Sequence, residues 1–181
     1  MVNIEAVEHK LGVKLFPHQR LQLDALYNEQ FPILKGDTGT GKSYLLAVYT
    51  ALSLLQPFEK NKIVVTGPGF RNSKHVFEET ERILQDAKIN TFTVMRESDR
   101  YLIKNEQHSA YFLPLGNGEK SRGLRPNILL VDAEEQMDED VLDTVYCGMQ
   151  ATGTSPIKQI EARVLGCKVY DGYQIVRARR V

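Results

Sequence analysis

The stretch Gly36-Asp37-Thr38-Gly39-Thr40-Gly41-Lys42-Ser43 has the spacing G-x-x-x-x-G-K-[ST] of a phosphate-binding loop. Its glycines predict a backbone that curls until successive N–H groups face anionic oxygens, and a helix beginning here adds its positive end. The ammonium of Lys42 is expected to reach the β- and γ-phosphates, and the hydroxyl of Ser43 to ligate Mg²⁺. The whole stretch is therefore predicted to bind a nucleotide, with ATP and Mg²⁺ as the expected ligands.

The residues on either side of this loop supply the strand and the helix that the motif requires. Residues 31–34 form a short apolar run that fits a buried strand. Residues 42–55 are apolar on nearly all sides, as in a helix buried against a sheet. The alternative, a glycine-rich turn with an incidental lysine, does not account for these flanks. Strand, loop and helix in this order predict an α/β fold.

Composition limits the class of protein. The 181 residues contain no repeat and suit one domain. Lys plus Arg equals Asp plus Glu at 23 each, which argues against a dedicated nucleic-acid coat but leaves room for a local basic strip. The two cysteines and four histidines lack metal-ligand spacing, so no zinc site is expected, and the cysteines suit a reducing compartment. No membrane span or signal peptide is predicted.

Hydrophobic periodicity predicts alternating helices and strands along the rest of the chain. Helices are expected at 3–12, 18–29, 42–55 and 72–88, with a further one capped by Asp138. Strands are expected at 31–34, 62–66, 91–95, 111–115, 128–131 and 149–151, whereas 96–110 is too polar to assign. In the tail, a strand at 168–170 is expected to pair with one at 174–176.

Phe16 and Gln19 precede the loop by about twenty residues and have a possible role at the base of the nucleotide. A glutamine amide can both donate to and accept from the adenine edge, and Phe16 is placed to lie against the ring. The alternative is a solvent-exposed glutamine at a helix start beside a core phenylalanine. The sequence leaves both alternatives open.

The run Ile128-Leu129-Leu130-Val131-Asp132 is typical of a buried strand that ends in an acidic residue beside a phosphate loop. The carboxylate of Asp132 is expected to hold the Mg²⁺ shell together with Ser43. Glu134 and Glu135 follow as candidates to orient and polarise the attacking water. The alternative for both glutamates is a solvated approach to the next helix.

Two further features lie towards the end of the chain. Thr152 and Gly153 follow a short predicted strand, where a small hydroxyl side chain can sense the γ-phosphate, or they form a plain turn before Pro156. The end at 177–181 is basic and either touches nucleic acid or is a solvated terminus.

These pieces, in this order, resemble the ATPase domain of the large terminase subunit of tailed bacteriophages, the motor that pumps DNA into a procapsid. The residues that carry the resemblance are Gln19, the loop 36–43, the strand and turn 63–70, the arginine–glycine element of Arg122, Gly123 and Arg125 before Asp132, and 151–153 at the family's coupling motif. The resemblance covers roughly residues 15–155. The arginine–glycine element is more specific than the phosphate loop, which very many ATPases share.

The resemblance implies a P-loop NTPase of the additional-strand, RecA-like type, with a mostly parallel sheet flanked by helices on both faces. It implies a homo-oligomeric ring in which an arginine of one subunit reaches the γ-phosphate held by the next. Arg122 is the first choice for that catalytic arginine and Arg125 the second; their alternative role is to pair with Glu134 or Glu135. The implied partners are double-stranded DNA, the portal protein and the small terminase subunit, in the host cytoplasm and without a membrane.

The sequence departs from the family pattern at the active site. Many members carry an arginine in the phosphate loop, where this chain has Asp37 and Thr38. The family's catalytic glutamate usually follows the strand-end aspartate directly, and that position here is Ala133. Glu134 is therefore expected to take over the role of catalytic glutamate.

The sequence thus predicts a single ATPase domain over 1–181, with a helical segment at 1–30, an ATPase core at 31–155, and C-terminal strands with a basic tail at 156–181. No nuclease domain is expected in these residues, and an isolated domain is expected to be monomeric. The alternatives are a helicase-like, DNA-dependent ATPase and an ATP-binding regulatory module with little turnover.

Overall fold

The structure is a computed structural model that describes residues 3–28, 32–57, 60–114, 124 and 126–137. It also describes the backbone of 159–164, 167–170 and 174–179. The expected strand 149–151, the helix after Asp138 and the arginine–glycine element lie outside these residues, apart from Leu124.

Four helices match the helices predicted from periodicity to within two residues at each end. They are α1 (Ile4–Leu11), α2 (Pro17–Asn28), α3 (Lys42–Leu54) and α4 (Phe70–Asp86). The first helix shows why the sequence punctuates it there. The side chain of Asn3 accepts a hydrogen bond from the Ala6 N–H at 3.1 Å, and Gly12 ends the helix in the left-handed conformation with φ 64°.

Nine strands form two sheets. They are β1 (Ile33–Lys35), β2 (Lys62–Thr66), β3 (Thr93–Arg96), β4 (Tyr101–Lys104), β5 (Ser109–Phe112), β6 (Ile128–Val131), β7 (Gln159–Val164), β8 (Cys167–Tyr170) and β9 (Gln174–Arg179). The main sheet has seven strands in the order β1-β9-β6-β2-β5-β4-β3, and β7 pairs with β8 alone. The polar segment 96–110, which the sequence left unassigned, contains β4.

The main sheet confirms the predicted fold class. Its first five strands are parallel, and β4 and β3 extend the edge in antiparallel pairing. One strand, β9, lies between β1, which precedes the phosphate loop, and β6, which ends at Asp132. A strand inserted between these two is the feature that defines the additional-strand type.

The predicted pairing in the tail is wrong. The strand at 167–170 pairs antiparallel with β7, and β9 instead runs parallel between β1 and β6, with Leu34 opposite Ala178 and Leu130 opposite Val176. A local hairpin was expected because the two strands are close in sequence. The buried centre of a parallel sheet binds an apolar strand on both edges, and that non-local pairing leaves no local signal.

The centre of the sheet is buried on both faces. Every residue of β6 is buried, as are Ile63, Val64 and Val65 of β2. Helix α3 is buried without interruption from Leu45 to Leu54, which confirms the prediction of a helix that is apolar nearly all round. None of the helices in the described residues is long and apolar enough to cross a membrane.

A polar network ties the amino-terminal ends of β2, β5 and β6 together. The Asn61 side-chain amide donates to the Ser53 carbonyl at 2.6 Å, and its oxygen accepts from Asn127 Nδ2 at 3.0 Å. The Asn61 backbone N–H donates to Nδ1 of the buried His108 at 3.2 Å. Asn127 Oδ1 in turn accepts from the Lys62 N–H at 2.7 Å. The network fixes the end of the sheet opposite the phosphate loop.

We expect Asn61→Ala to lower the free energy of unfolding by about 1–3 kcal/mol, because it strands the Ser53 carbonyl and the Asn127 amide without partners. Urea unfolding of the whole chain measures this change. Lys60→Ala, one residue earlier and exposed, is the matched control and is expected to be neutral. Equal stability of the two variants would contradict the structural role of the network.

Candidate active site

The phosphate loop connects the carboxyl end of β1 to the first turn of α3. Gly39 and Gly41 have φ angles of 88° and 82°, a region that L side chains rarely adopt. Thr40 closes the loop because its N–H and its hydroxyl both donate to the Asp37 carbonyl, at 3.4 and 2.9 Å. The glycines of the motif are therefore placed where the backbone requires them.

The ammonium of Lys42 lies folded over this loop. Its Nζ donates to the carbonyl of Gly36 at 2.6 Å and to the carbonyl of Asp37 at 2.9 Å. These two carbonyls keep the charge beside the loop, in the space where the motif expects the phosphates.

Ser43 and Asp132 come together from positions 89 residues apart in the sequence. The Ser43 hydroxyl lies 3.1 Å from Asp132 Oδ1 and 3.0 Å from Oδ2. Asp132 is only 6% exposed, and its N–H donates to the Thr66 carbonyl at 2.9 Å. Burial raises the pKa of the Asp132 carboxyl, against the effects of the Ser43 hydrogen bond and the nearby His75, which favour the ionised form. One hydroxyl and one carboxylate are the oxygen donors that suit Mg²⁺ bound with phosphate and water.

The turn after Asp132 separates the two glutamates. Ala133 has φ 54° and ψ 44°, and a short 3-10 turn follows at Glu134–Gln136. Glu134 is buried at 4% exposure, whereas Glu135 is exposed and faces the cavity that contains Asp132. The geometry thus favours Glu135 over Glu134 as the residue that meets the attacking water.

A cavity of about 340 Å³ joins the phosphate loop to the end of β6. Its walls include Lys42, Asp132 and Glu135, and also Asn72 and His75 on the first two turns of α4. The sequence analysis missed Asn72 and His75. A signal existed, because two polar residues three apart directly after a strand and a Gly-Pro-Gly turn lie on one helix face at the carboxyl edge of the sheet.

Gln19 lies against the phosphate loop. Its side-chain oxygen accepts from the Phe16 N–H at 3.0 Å, and its nitrogen donates to the Thr40 carbonyl at 3.4 Å. Because Gln19 is 4% exposed and Phe16 is 66% exposed, the alternative of an exposed glutamine beside a core phenylalanine is wrong. The Phe16 ring stacks on His18, whose Nε2 lies 3.2 Å from the same Thr40 carbonyl. Contact with adenine stays a prediction for both Gln19 and Phe16.

Several expected site residues lie outside the described part of the chain. They are Arg122, Arg125, Thr152 and Gly153. The basic end is described as far as Arg179, and its backbone pairs with Lys35, the residue before the phosphate loop. The tail therefore enters the sheet and reaches the carboxyl edge beside the loop.

The fold and the site define an α/β P-loop protein of the additional-strand type. The family model for the RNA cytidine acetyltransferase NAT10/TcmA, helicase domain, matches residues 33–152, and the chain belongs to this family. No curated protein matches the sequence.

Among solved structures, the fold is similar to the ATPase domains of large terminases, which confirms the resemblance at the level of fold. The bacteriophage HK97 large terminase shares 15% identity at a TM-score of 0.73, over 99% of this chain and 38% of the terminase. The large terminase of a thermophilic bacteriophage shares 13% at 0.63, over 92% and 39%, and has been solved with ADP and with ATP-γ-S. The ATPase domain of the Thermus phage P74-26 large terminase shares 11% at 0.58, over 96% and 83%. The chain spans less than two-fifths of the length of the first two.

Proposed function

We propose that this chain hydrolyses ATP to drive movement along nucleic acid, and that its first candidate role is the motor domain of a large terminase that moves viral double-stranded DNA into a procapsid. The observation that carries the ATPase assignment is the contact of Ser43 with Asp132 at one cavity with Lys42 and Glu135. The packaging role rests on the likeness in fold to terminases.

The proposed reaction assigns a task to each side chain. Lys42 and the loop N–H groups bind the β- and γ-phosphates, and Ser43 and Asp132 hold Mg²⁺, which neutralises charge that develops on the phosphate oxygens. Glu135 orients a water molecule for in-line attack and accepts its proton. The water oxygen bonds to the γ-phosphorus, the bond from phosphorus to the β–γ bridging oxygen breaks, and ADP leaves with that oxygen.

The proposal includes parts that act between subunits. Arg122 is the first candidate, and Arg125 the second, to reach the γ-phosphate of a neighbour in a homo-oligomeric ring, where a guanidinium stabilises charge without losing its proton. Thr152 and Gly153 are proposed to couple hydrolysis to movement. In the packaging role, the partners are double-stranded DNA, a portal protein and a small terminase subunit in the host cytoplasm.

A second candidate is a helicase-type ATPase that acts on RNA or DNA strands. The family match over residues 33–152 favours it, because that family is described as a helicase domain. The two candidates share the chemistry at the phosphate loop and differ in the nucleic acid that stimulates it.

Phosphate release by the whole chain, measured across protein concentration and with duplex DNA, single-stranded DNA or RNA, tests both candidates. A packaging motor predicts a specific rate that rises with concentration and with duplex DNA, and that falls to background in EDTA. Arg122→Ala is expected to abolish the concentration dependence and to lower the assembled rate by more than about tenfold. Stimulation by single strands or RNA alone favours the helicase-type role, and ATP binding without release under all conditions contradicts hydrolysis and leaves a regulatory module.

A further inference from the structure

The cavity has a wall opposite the phosphate loop that the proposed reaction has not used. Asn72 and His75 contribute it from successive turns of α4, and they share the cavity with Asp132 and Glu135. Residues three apart in a helix lie on the same face, so both side chains belong to one surface.

This wall is held tightly against the end of β6. A Cβ atom built on Gly67 would come within 2.7 Å of Asn72 Cβ and 3.0 Å of the Asp132 carbonyl oxygen, so the connection after β2 passes between them with no spare room. Phe77, two residues after His75, is 1% exposed and packs edge-on against Phe112 at 5.2 Å between ring centroids. The start of α4 is therefore a fixed support at the active site.

The two side chains have unused hydrogen-bonding capacity. Within the described residues, neither the Asn72 amide nor the His75 imidazole donates or accepts a hydrogen bond, although Lys74 between them pairs with Glu78 at 3.6 Å. His75 is exposed to the cavity, and it is near enough to Asp132 to favour ionisation of that carboxyl. An amide and an imidazole at this place suit a phosphoryl oxygen and a water molecule.

We propose that Asn72 and His75 recognise the γ-phosphoryl group: His75 donates a hydrogen bond to a γ-phosphate oxygen, and the Asn72 amide orients the attacking water together with Glu135. The inference rests on the proposed ATPase function. It makes α4 the element that distinguishes ATP from ADP, because both contacts exist only while the γ-phosphate is present.

Calorimetric titration of the whole chain with ATP-γ-S and with ADP, alongside single-turnover hydrolysis, tests the inference. His75→Ala is expected to weaken ATP-γ-S binding about tenfold with ADP affinity unchanged, and Asn72→Ala to slow hydrolysis about tenfold with little change in binding. His75→Gln keeps a donor and is expected to recover part of the loss. Lys74→Ala, on the same turn but directed to Glu78, is the matched control and is expected to behave like the parent chain.

The outcomes separate this inference from the function on which it depends. If the parent chain binds neither nucleotide, the proposed function fails. If it binds and hydrolyses ATP while Asn72→Ala and His75→Ala match Lys74→Ala, the inference is overturned and the function stands. Equal loss of ATP-γ-S and ADP affinity also overturns it, because that result describes a general support of the cavity. Thermal unfolding of each variant identifies a folding defect, and in that case His75→Gln decides the outcome.

Discussion

Replacing Glu135 by glutamine is expected to lower the turnover of ATP by about 10²- to 10⁴-fold while ATP affinity stays nearly unchanged. Glutamine keeps the size of the side chain but cannot accept a proton from water. Glu135 is exposed at the cavity that holds Asp132 and Lys42, so its carboxylate is available to a water beside the γ-phosphate. Single-turnover phosphate release and an equilibrium titration with ATP measure the two quantities separately.

Glu134→Gln is the matched control for this prediction. Glu134 is its neighbour in the same 3-10 turn but is 4% exposed, so its replacement is expected to change stability more than turnover. We expect turnover within a few-fold of the parent chain for Glu134→Gln. A collapse of turnover in Glu134→Gln with normal turnover in Glu135→Gln would reverse the assignment, and would require the end of β6 to rearrange when ATP binds.

The identity of the catalytic glutamate was beyond sequence reasoning for a physical reason. The expectation of Glu134 assumed a small shift at the end of the strand. Ala133 instead takes the left-handed conformation, at φ 54°, which turns the chain and leaves Glu134 buried and Glu135 at the cavity. An alanine carries no local signal for that conformation, since glycine and asparagine are the residues that favour it.

The phosphate loop and Asp132 were predictable because each is marked locally. The loop has fixed glycine positions, and Asp132 ends an apolar run that reads as a buried strand. The carboxyl ends of parallel strands meet at one edge of the sheet, so the 3.0 Å approach of Ser43 to Asp132 follows once both strands are assigned.

The position of β9 and the role of α4 were not predictable in the same way. β9 joins the sheet between two strands that are far away in sequence, and its residues alone do not distinguish that pairing from a hairpin with β8. Asn72 and His75 read as ordinary polar positions of an amphipathic helix. Only the close packing of Gly67 against Asn72 and the Asp132 carbonyl brings them to the site.

Gly41→Ala is expected to weaken ATP binding by about two orders of magnitude, through two costs at one position. The first is backbone strain: Gly41 has φ 82°, and an L residue in this region costs roughly 1–2 kcal/mol. The second is steric, because a Cβ at Gly41 would overlap Nε2 of the buried Gln19. Moving that amide breaks its hydrogen bonds with Phe16 and Thr40, which adds about 1 kcal/mol, and each 1.4 kcal/mol is a factor of ten in affinity.

A double-mutant cycle with Gln19→Ala separates the two costs. Removing the Gln19 side chain clears the overlap but leaves the strain, so Gly41→Ala with Gln19→Ala is expected to bind ATP more tightly than Gly41→Ala alone and more weakly than Gln19→Ala alone. Titration with ATP and GTP in parallel extends the test to the base. If Gln19 only clamps the loop, Gln19→Ala weakens both nucleotides equally; if it also reads adenine, the preference for ATP over GTP falls. No recovery in the double variant would contradict the clamp, because the loop would then fail from strain alone.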